Sequence, residues 1–373
     1  MRHPALPAAR SGAASLRCGR SVIALLLVLA APIAAPIAAP LPPAVAAPAP
    51  AGPDPLPSWV EGASKRAILR FLQQSGGGSV DGRAGGVPPA ERIAVFDNDG
   101  TLWSEQPLYI PLMFCIDRIQ RLAAGQPQWR QQEPFASALR GDIPSLLRQG
   151  PEALATLLVA GSTGLSSEAY QDEVKRWIRT ARHPQTGRLY SAMVFQPMLE
   201  LLGLLRAHGF RTFIVSGGDV AFMRAWSESV YGIPPEQVIG TRIALEYRET
   251  PGGPQLERLP RIEALVDGPG KPVAIEQIIG RRPLAAFGNS DGDRQMLSWT
   301  MAGNGPRFAL LVHHTDARRE WAYDRRSEIG GLNQALDQAR RDGWTVVDMA
   351  RDWRVIHPPQ PALPDSTSPA GRR

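Results

Sequence analysis

The chain has 373 residues, 43% hydrophobic and 20% charged, the balance of a globular protein long enough for one elaborated domain or a domain with an insert. Its net charge of +6 is concentrated at the front: Arg2, Arg10, Arg17 and Arg20 all precede the first acidic residue, Asp54, and without these four the charge falls to +2. No Lys/Arg run interleaved with aromatics occurs, so a nucleic-acid partner is not expected.

In chain order, the first feature reads as an export signal over residues 1–46. A basic stretch ends at Arg20, an apolar run covers 22–31, and small residues such as Ala44-Val45-Ala46 offer cleavage points. A membrane-spanning helix needs about 20 apolar residues. Pro32 and Pro36 interrupt this run, so cleavage is expected rather than a retained anchor. The protein is then periplasmic or secreted, with no membrane attachment after cleavage. Cys18 leaves with the signal, and the remaining Cys115 has no partner for an intrachain disulfide. Residues 47–57 read as a Pro/Ala-rich linker, 76–86 as a Gly-rich loop and 358–373 as a disordered, Pro-rich tail.

Between these segments, apolar spacing predicts helices over 58–73, 108–122, 135–147, 152–159 and 168–178, which makes 104–195 a mostly helical insert. Short apolar runs at 93–96, 212–215, 284–287, 308–312 and 345–349 read as strands, alternating with helices at 198–207, 220–231 and 272–279. That alternation predicts an α/β fold, a Rossmann-like parallel sheet with helices on both faces, built from 58–103 and 196–357.

Three of the strands run into polar clusters: Asp97-Asn98-Asp99-Gly100-Thr101, Ser216-Gly217-Gly218-Asp219 and Gly288-Asn289-Ser290-Asp291-Gly292-Asp293. Ligands of open α/β sheets bind beyond the carboxyl ends of the strands, so three such clusters imply one site. Together they carry what phosphoryl transfer needs: a nucleophile, neutralisation of phosphate charge and a proton for the leaving group. Asp97 can attack phosphorus, Asp99 can protonate the leaving alcohol and then activate water, and Gly100 lets the backbone turn away. Ser216 and Gly217 can offer a hydroxyl and an amide to phosphate oxygens. Asn289, Asp291 and Asp293 are oxygen ligands suited to Mg²⁺. Lys271, at the head of the 272–279 run, can balance the anionic charge. A simple turn would account for the first cluster alone but not for the others. The calcium-loop pattern fails there too, because Thr101 and Leu102 stand where an Asp/Asn and a Gly are required.

These four elements resemble the four motifs of the haloacid dehalogenase superfamily, in its phosphoserine phosphatase-like branch, over about residues 93–312. Val95 to Leu102 matches the DxDGT signature, Ser216-Gly217-Gly218 resembles the serine motif, and Lys271 fits the third motif. The resemblance implies an aspartyl-phosphate phosphatase with Asp97 as nucleophile and Asp99 as acid/base. It implies phosphate binding by Ser216, Gly217 and Lys271, and Mg²⁺ held by Asp97, the Asp99 carbonyl and the fourth motif. Residues 104–195 fall where this family inserts its cap. One departure stands out: Asn289 occupies a position usually held by Asp, so either Asn289 or Asp291 is the ligand there.

The substrate implied is a small phosphate monoester, such as phosphoserine or phosphorylcholine. Dehalogenation needs no acid like Asp99. A phosphotransferase or phosphomutase would use the same Asp pair, on substrates that are mostly intracellular. A catalytically impaired phospho-ligand-binding protein is the reading that Asn289 alone would favour. Glu105, Trp103 and Tyr109 are placed near the entrance, with the two aromatics equally suited to the core. The oligomeric state is not encoded in any recognisable pattern.

Overall fold

The computed structural model describes residues 53–76 and 86–359. The expected signal peptide, most of the linker and the Gly-rich loop, and the tail from residue 360 lie outside the described residues.

Helix α1 (Ala63–Gly76) buries Ile68, Phe71 and Leu72. Strand β1 (Ile93–Phe96) is buried at all four positions, as a central strand covered on both faces requires. Then come α2 (Ile110–Leu122), α3 (Phe135–Arg140), α4 (Ile143–Arg148), α5 (Pro151–Ser162) and α6 (Ser167–Thr180). The single helix expected over 135–147 is divided because Gly141 takes a left-handed φ of 68° and Asp142 caps α4, accepting from the Ser145 N–H. Ser166 caps α6 in the same way.

Helix α7 (Gln196–Ala207) leads to β2 (Arg211–Asp219), α8 (Val220–Arg224) and α9 (Ser227–Tyr231). Strands β3 (Val238–Thr250) and β4 (Gly253–Ala264) form a hairpin. The chain continues through α10 (Gly270–Ile279), β5 (Ala285–Gly288), α11 (Arg294–Met301), β6 (Phe308–His313), α12 (Gln334–Asp342), β7 (Thr345–Asp348) and α13 (Met349–Asp352).

The seven strands form one sheet in the order β4-β3-β2-β1-β5-β6-β7, parallel except for β4. Successive strands move outward from β1 to β2 and β3, and the chain then returns to the other flank of β1 with β5. That reversal opens a crevice beyond the carboxyl end of β1, where a ligand site belongs. Phe96 pairs with Ile214 on one side and Phe287 on the other, so the three polar clusters emerge side by side.

Three further features differ from expectation. The β3–β4 hairpin was not anticipated, and it reaches from the sheet to the 104–195 segment: Arg258 on β4 donates to the Ser162 carbonyl, pairs with the buried Asp219 carboxylate and lies over the Tyr170 ring. The linker ends earlier than residue 57, because Leu56 is fully buried and Asp54 accepts from the buried Lys65 ammonium at 2.6 Å. The helices of 104–195 share their apolar interior with one face of the sheet: Phe114 on α2 packs against Tyr170 on α6 and Phe222 on α8 within one continuous core.

Candidate active site

The loop after β1 winds round one carbonyl. The N–H groups of Thr101, Leu102 and Trp103 all point to the Asn98 oxygen, while the Gly100 N–H bonds the Trp103 carbonyl. Gly100 adopts φ +75°, and a Cβ there would sit 2.0 Å from Asn289 Nδ2. Only glycine fits both the backbone and the space. This turn sets Asp97 and Asp99 at the floor of a cavity of about 210 Å³, with Ser216, Gly217, Gly218, Lys271 and Ser290 around them.

Lys271, at the start of α10, is buried between two carboxylates. Its Nζ donates to Asp97 Oδ1 at 2.5 Å and to Asp293 Oδ1 at 2.6 Å. Burial works against its charge, but Asp293, Asp97 and Asp267 outweigh that and raise its pKa. Asp97 is itself raised well above the usual carboxylate range, by desolvation first and by Asp293 second, with Lys271 opposing. Asp293 Oδ2 accepts the Asn289 and Ser290 N–H groups, which closes the turn after β5.

Asp99 accepts from Trp103 Nε1 at 2.9 Å. Desolvation pushes its pKa up to about 6, against the lowering effects of Trp103 and Lys271. A carboxyl group with that value can give and take a proton near neutrality. Trp103 is therefore wholly buried beneath Asp99, stacked on Trp226 at 4.4 Å, and does not line the entrance. Tyr109 does line the cavity. Ser216, Gly217 and Gly218 lie close by, since a Cβ on Gly218 would stand 3.8 Å from Asp99 Oδ2, and Ser216 Oγ accepts the Gly218 N–H at 3.0 Å.

Asn289 faces the same floor. Its Oδ1 accepts from Thr101 Oγ1 at 3.1 Å, and its Nδ2 donates to Glu105 Oε1 at 2.7 Å. Glu105 also accepts from Tyr323 Oη at 2.7 Å. Burial raises the Glu105 pKa well above the usual range, while the Tyr323 contact opposes that. Beneath this layer, His314 Nε2 contacts the Gly100 carbonyl and its Nδ1 contacts Glu320. His313 points elsewhere, towards Asp324, as adjacent strand residues do.

Asp291 corrects an expectation. Its carboxylate is turned out of the cavity and accepts the N–H groups of Asn333, Gln334 and Ala335 at the start of α12, at 2.8 to 3.1 Å. Free amides at a helix N-terminus attract an anion, and they take this one away from any cation among Asp97, Asn289 and Asp293.

Four buried carboxylates, Asp97, Asp99, Glu105 and Asp293, thus share a single ammonium, Lys271. Buried charge without a counter-charge is costly, and the raised pKa values of the first three express that cost. A second cation would relieve it, and the oxygens present, from Asp97, Asn289 and the main chain, are the hard donors that Mg²⁺ takes. Among the described residues no three His, Cys, Asp or Glu side chains meet as a ready-made metal cluster.

Asp267, Tyr323, Ile262 and Leu265 were not anticipated at this site. The last two come from β4 and its exit, and no motif marks them; only the hairpin brings them to the cavity. Cys115 is buried, its thiol pushed up to about 12 by desolvation, and it takes no part.

The model of the haloacid dehalogenase-like hydrolases matches residues 94–298, more than half of the chain, and that span holds Asp97, Asp99, Ser216, Lys271, Asn289 and Asp293. No curated protein matches. Among solved structures, a protein of unknown function from Bordetella pertussis Tohama I is 18% identical, with 69% of this chain and 99% of that chain covered at a TM-score of 0.45. A functionally unknown protein from Anaerococcus prevotii DSM 20548 is 14% identical, covering 76% and 91% at 0.48. A phosphoserine phosphohydrolase-like protein from Francisella tularensis subsp. tularensis SCHU S4 is 14% identical, covering 70% and 95% at 0.38. By the family model, the chain belongs to the haloacid dehalogenase-like hydrolases.

Proposed function

We propose that this chain is an exported, Mg²⁺-dependent phosphatase that hydrolyses small phosphate monoesters through an aspartyl-phosphate on Asp97. The observation that carries the reading is the contact of one buried ammonium, Lys271, with both Asp97 and Asp293, beside a second aspartate with a pKa of about 6.

In this reading an Asp97 carboxylate oxygen attacks phosphorus, and the bond from phosphorus to the ester oxygen breaks. Asp99 gives its proton to the departing alkoxide, so the alcohol leaves neutral. Asp99, now a carboxylate, takes a proton from water as that water attacks the phosphoryl group, which releases inorganic phosphate and restores Asp97. Lys271, Ser216 Oγ and the Gly217 N–H hold the phosphoryl oxygens. Asn289 is kept in orientation by Thr101 and Glu105, and together with Asp97 and the Asp99 carbonyl it would hold the cation. Bound Mg²⁺ would neutralise phosphate charge and favour the ionised Asp97.

The test is p-nitrophenyl phosphate hydrolysis by the full chain with Mg²⁺, with EDTA, and with Asp97→Asn. Turnover that requires Mg²⁺ and falls by at least about 10³-fold in the variant supports the reading. Equal turnover in the variant, or none under any divalent cation, contradicts it and favours a phospho-ligand-binding role for the same cavity.

A further inference from the structure

The floor and the walls of the cavity differ sharply in chemistry. All the charge but the exposed Asp267 carboxylate lies on the floor. The walls are Leu112 of α2, Leu154, Ala155 and Leu158 of α5, and Ile262 and Leu265 on the β4 side. Lys271 is the single cation among the lining residues, and it sits on the floor against Asp97 and Asp293, where the phosphoryl group itself would take its remaining reach. No cation is left there to pair with a carboxylate or second phosphate on a leaving group. Glu105 and the exposed Asp267 would repel one.

The apolar wall also continues outward. A second groove of about 420 Å³ lies against the same α5–β4 seam and shares Ala155 and Ile262 with the cavity; Phe135, Val159 and Pro260 extend it, and none of its lining residues is ionisable. Leu265 is 63% exposed at the cavity edge, an apolar side chain that would gain from being covered.

We propose that the site takes phosphate monoesters of uncharged alcohols whose hydrocarbon portion lies along α5 and β4. This inference rests on the phosphatase reading for its chemistry, but its content is the leaving group. A buried carboxylate without a partner is costly, so phosphoserine is disfavoured on these walls. Each methylene laid against them contributes about 0.8 kcal/mol, roughly a fourfold gain.

The experiment measures kcat/KM of the full chain with Mg²⁺ for ethyl, butyl and hexyl phosphate, for phosphoserine, and for phosphorylcholine beside its uncharged isostere in which carbon replaces the quaternary nitrogen. We expect a rise of at least about tenfold from ethyl to hexyl, within the fourfold-per-methylene ceiling. Phosphoserine should fall below ethyl phosphate, and the uncharged isostere should at least equal phosphorylcholine. Ala155→Glu, at the seam shared by the two cavities, should flatten the chain-length series. A flat series in the unaltered chain, or preference for phosphoserine or phosphorylcholine over the uncharged esters, overturns the inference. If no ester is turned over, calorimetric binding of ethylphosphonate and hexylphosphonate decides separately. Tighter binding of the hexyl compound sustains the leaving-group inference while the phosphatase reading falls; equal or absent binding overturns it.

Discussion

Asp99 is held by Trp103 from below and borders Gly218 at the cavity floor, so in the proposed reaction it can exchange a proton with the leaving-group oxygen. Replacing it with Asn keeps the size and the Trp103 contact but removes the proton. Asp99→Asn should lower kcat on alkyl phosphates by about 10²–10⁴-fold. The loss should be smaller for phosphorylation by p-nitrophenyl phosphate, whose leaving group departs without a proton, and a burst of nitrophenolate in rapid mixing would show it. Equal losses in both measurements would remove Asp99 from the acid role. The placement of Asp97, Asp99, Ser216, Lys271 and Asn289 in one cavity region was legible in the sequence because each lies in or just beyond the carboxyl-terminal part of a buried strand, or at the head of a helix, and parallel strands deliver their carboxyl ends to one edge. Asp291 and Asp293 could not be told apart that way. Both lie in one turn, and Asp291 is drawn aside by amides about 40 residues further on, at the start of α12.

At the scale of elements, α2 and α5 pack with their backbones in close approach. Gly161 of α5 lies so close to α2 that a Cβ on it would fall 2.4 Å from Cys115 Cβ and 2.7 Å from its Cα. Backbone cannot yield there as a flexible side-chain tip would. Gly161→Ala should therefore destabilise the protein by about 1–3 kcal/mol despite alanine's better helix propensity, read as a lower urea midpoint. An unchanged or higher midpoint would contradict the packing described. Because α5 also carries Leu154, Ala155 and Leu158, the same variant should disturb the cavity wall. The β3–β4 hairpin escaped sequence reading for a physical reason. Leu245, Tyr247 and Leu256 alternate with charged residues, and Tyr247 pairs with Leu256, yet these apolar side chains are largely exposed. A strand with no buried face at its tip leaves a weak pattern, although Pro251-Gly252-Gly253 marked the turn.

For the whole molecule, the surplus of buried carboxylates links stability to pH and to cations. The folded-state pKa values of Asp97, Asp99 and Glu105 lie above those of an unfolded chain. Between the two values the folded protein binds more protons, so their contribution to stability falls as pH rises from about 4, and for Asp99 the fall is complete just above pH 6. Asp99 alone accounts for about 3 kcal/mol by this linkage. A divalent cation that pairs with the ionised groups reverses the loss. The rise in Tm on adding Mg²⁺ to EDTA-treated protein should thus be larger at pH 7.5 than at pH 5, by several degrees. Comparing with and without Mg²⁺ at each pH cancels the opposite trend from carboxylates with lowered values, such as Glu133 and Glu320. An equal shift at both pH values would mean that no cation enters this cluster. None of this coupling follows from motifs alone, since it depends on how deeply the fold buries them.

The central claim, that Asp97 is the nucleophile, is tested most directly by locating the phosphoryl group. The Asp99→Asn chain is mixed with p-nitrophenyl phosphate and Mg²⁺, quenched in acid within the burst, and digested for mass spectrometry. The account predicts one phosphorylated peptide, modified at Asp97 and absent when Asp97→Asn is added. A phosphoryl group on any other residue, or undiminished turnover with no phosphorylated peptide, would contradict it.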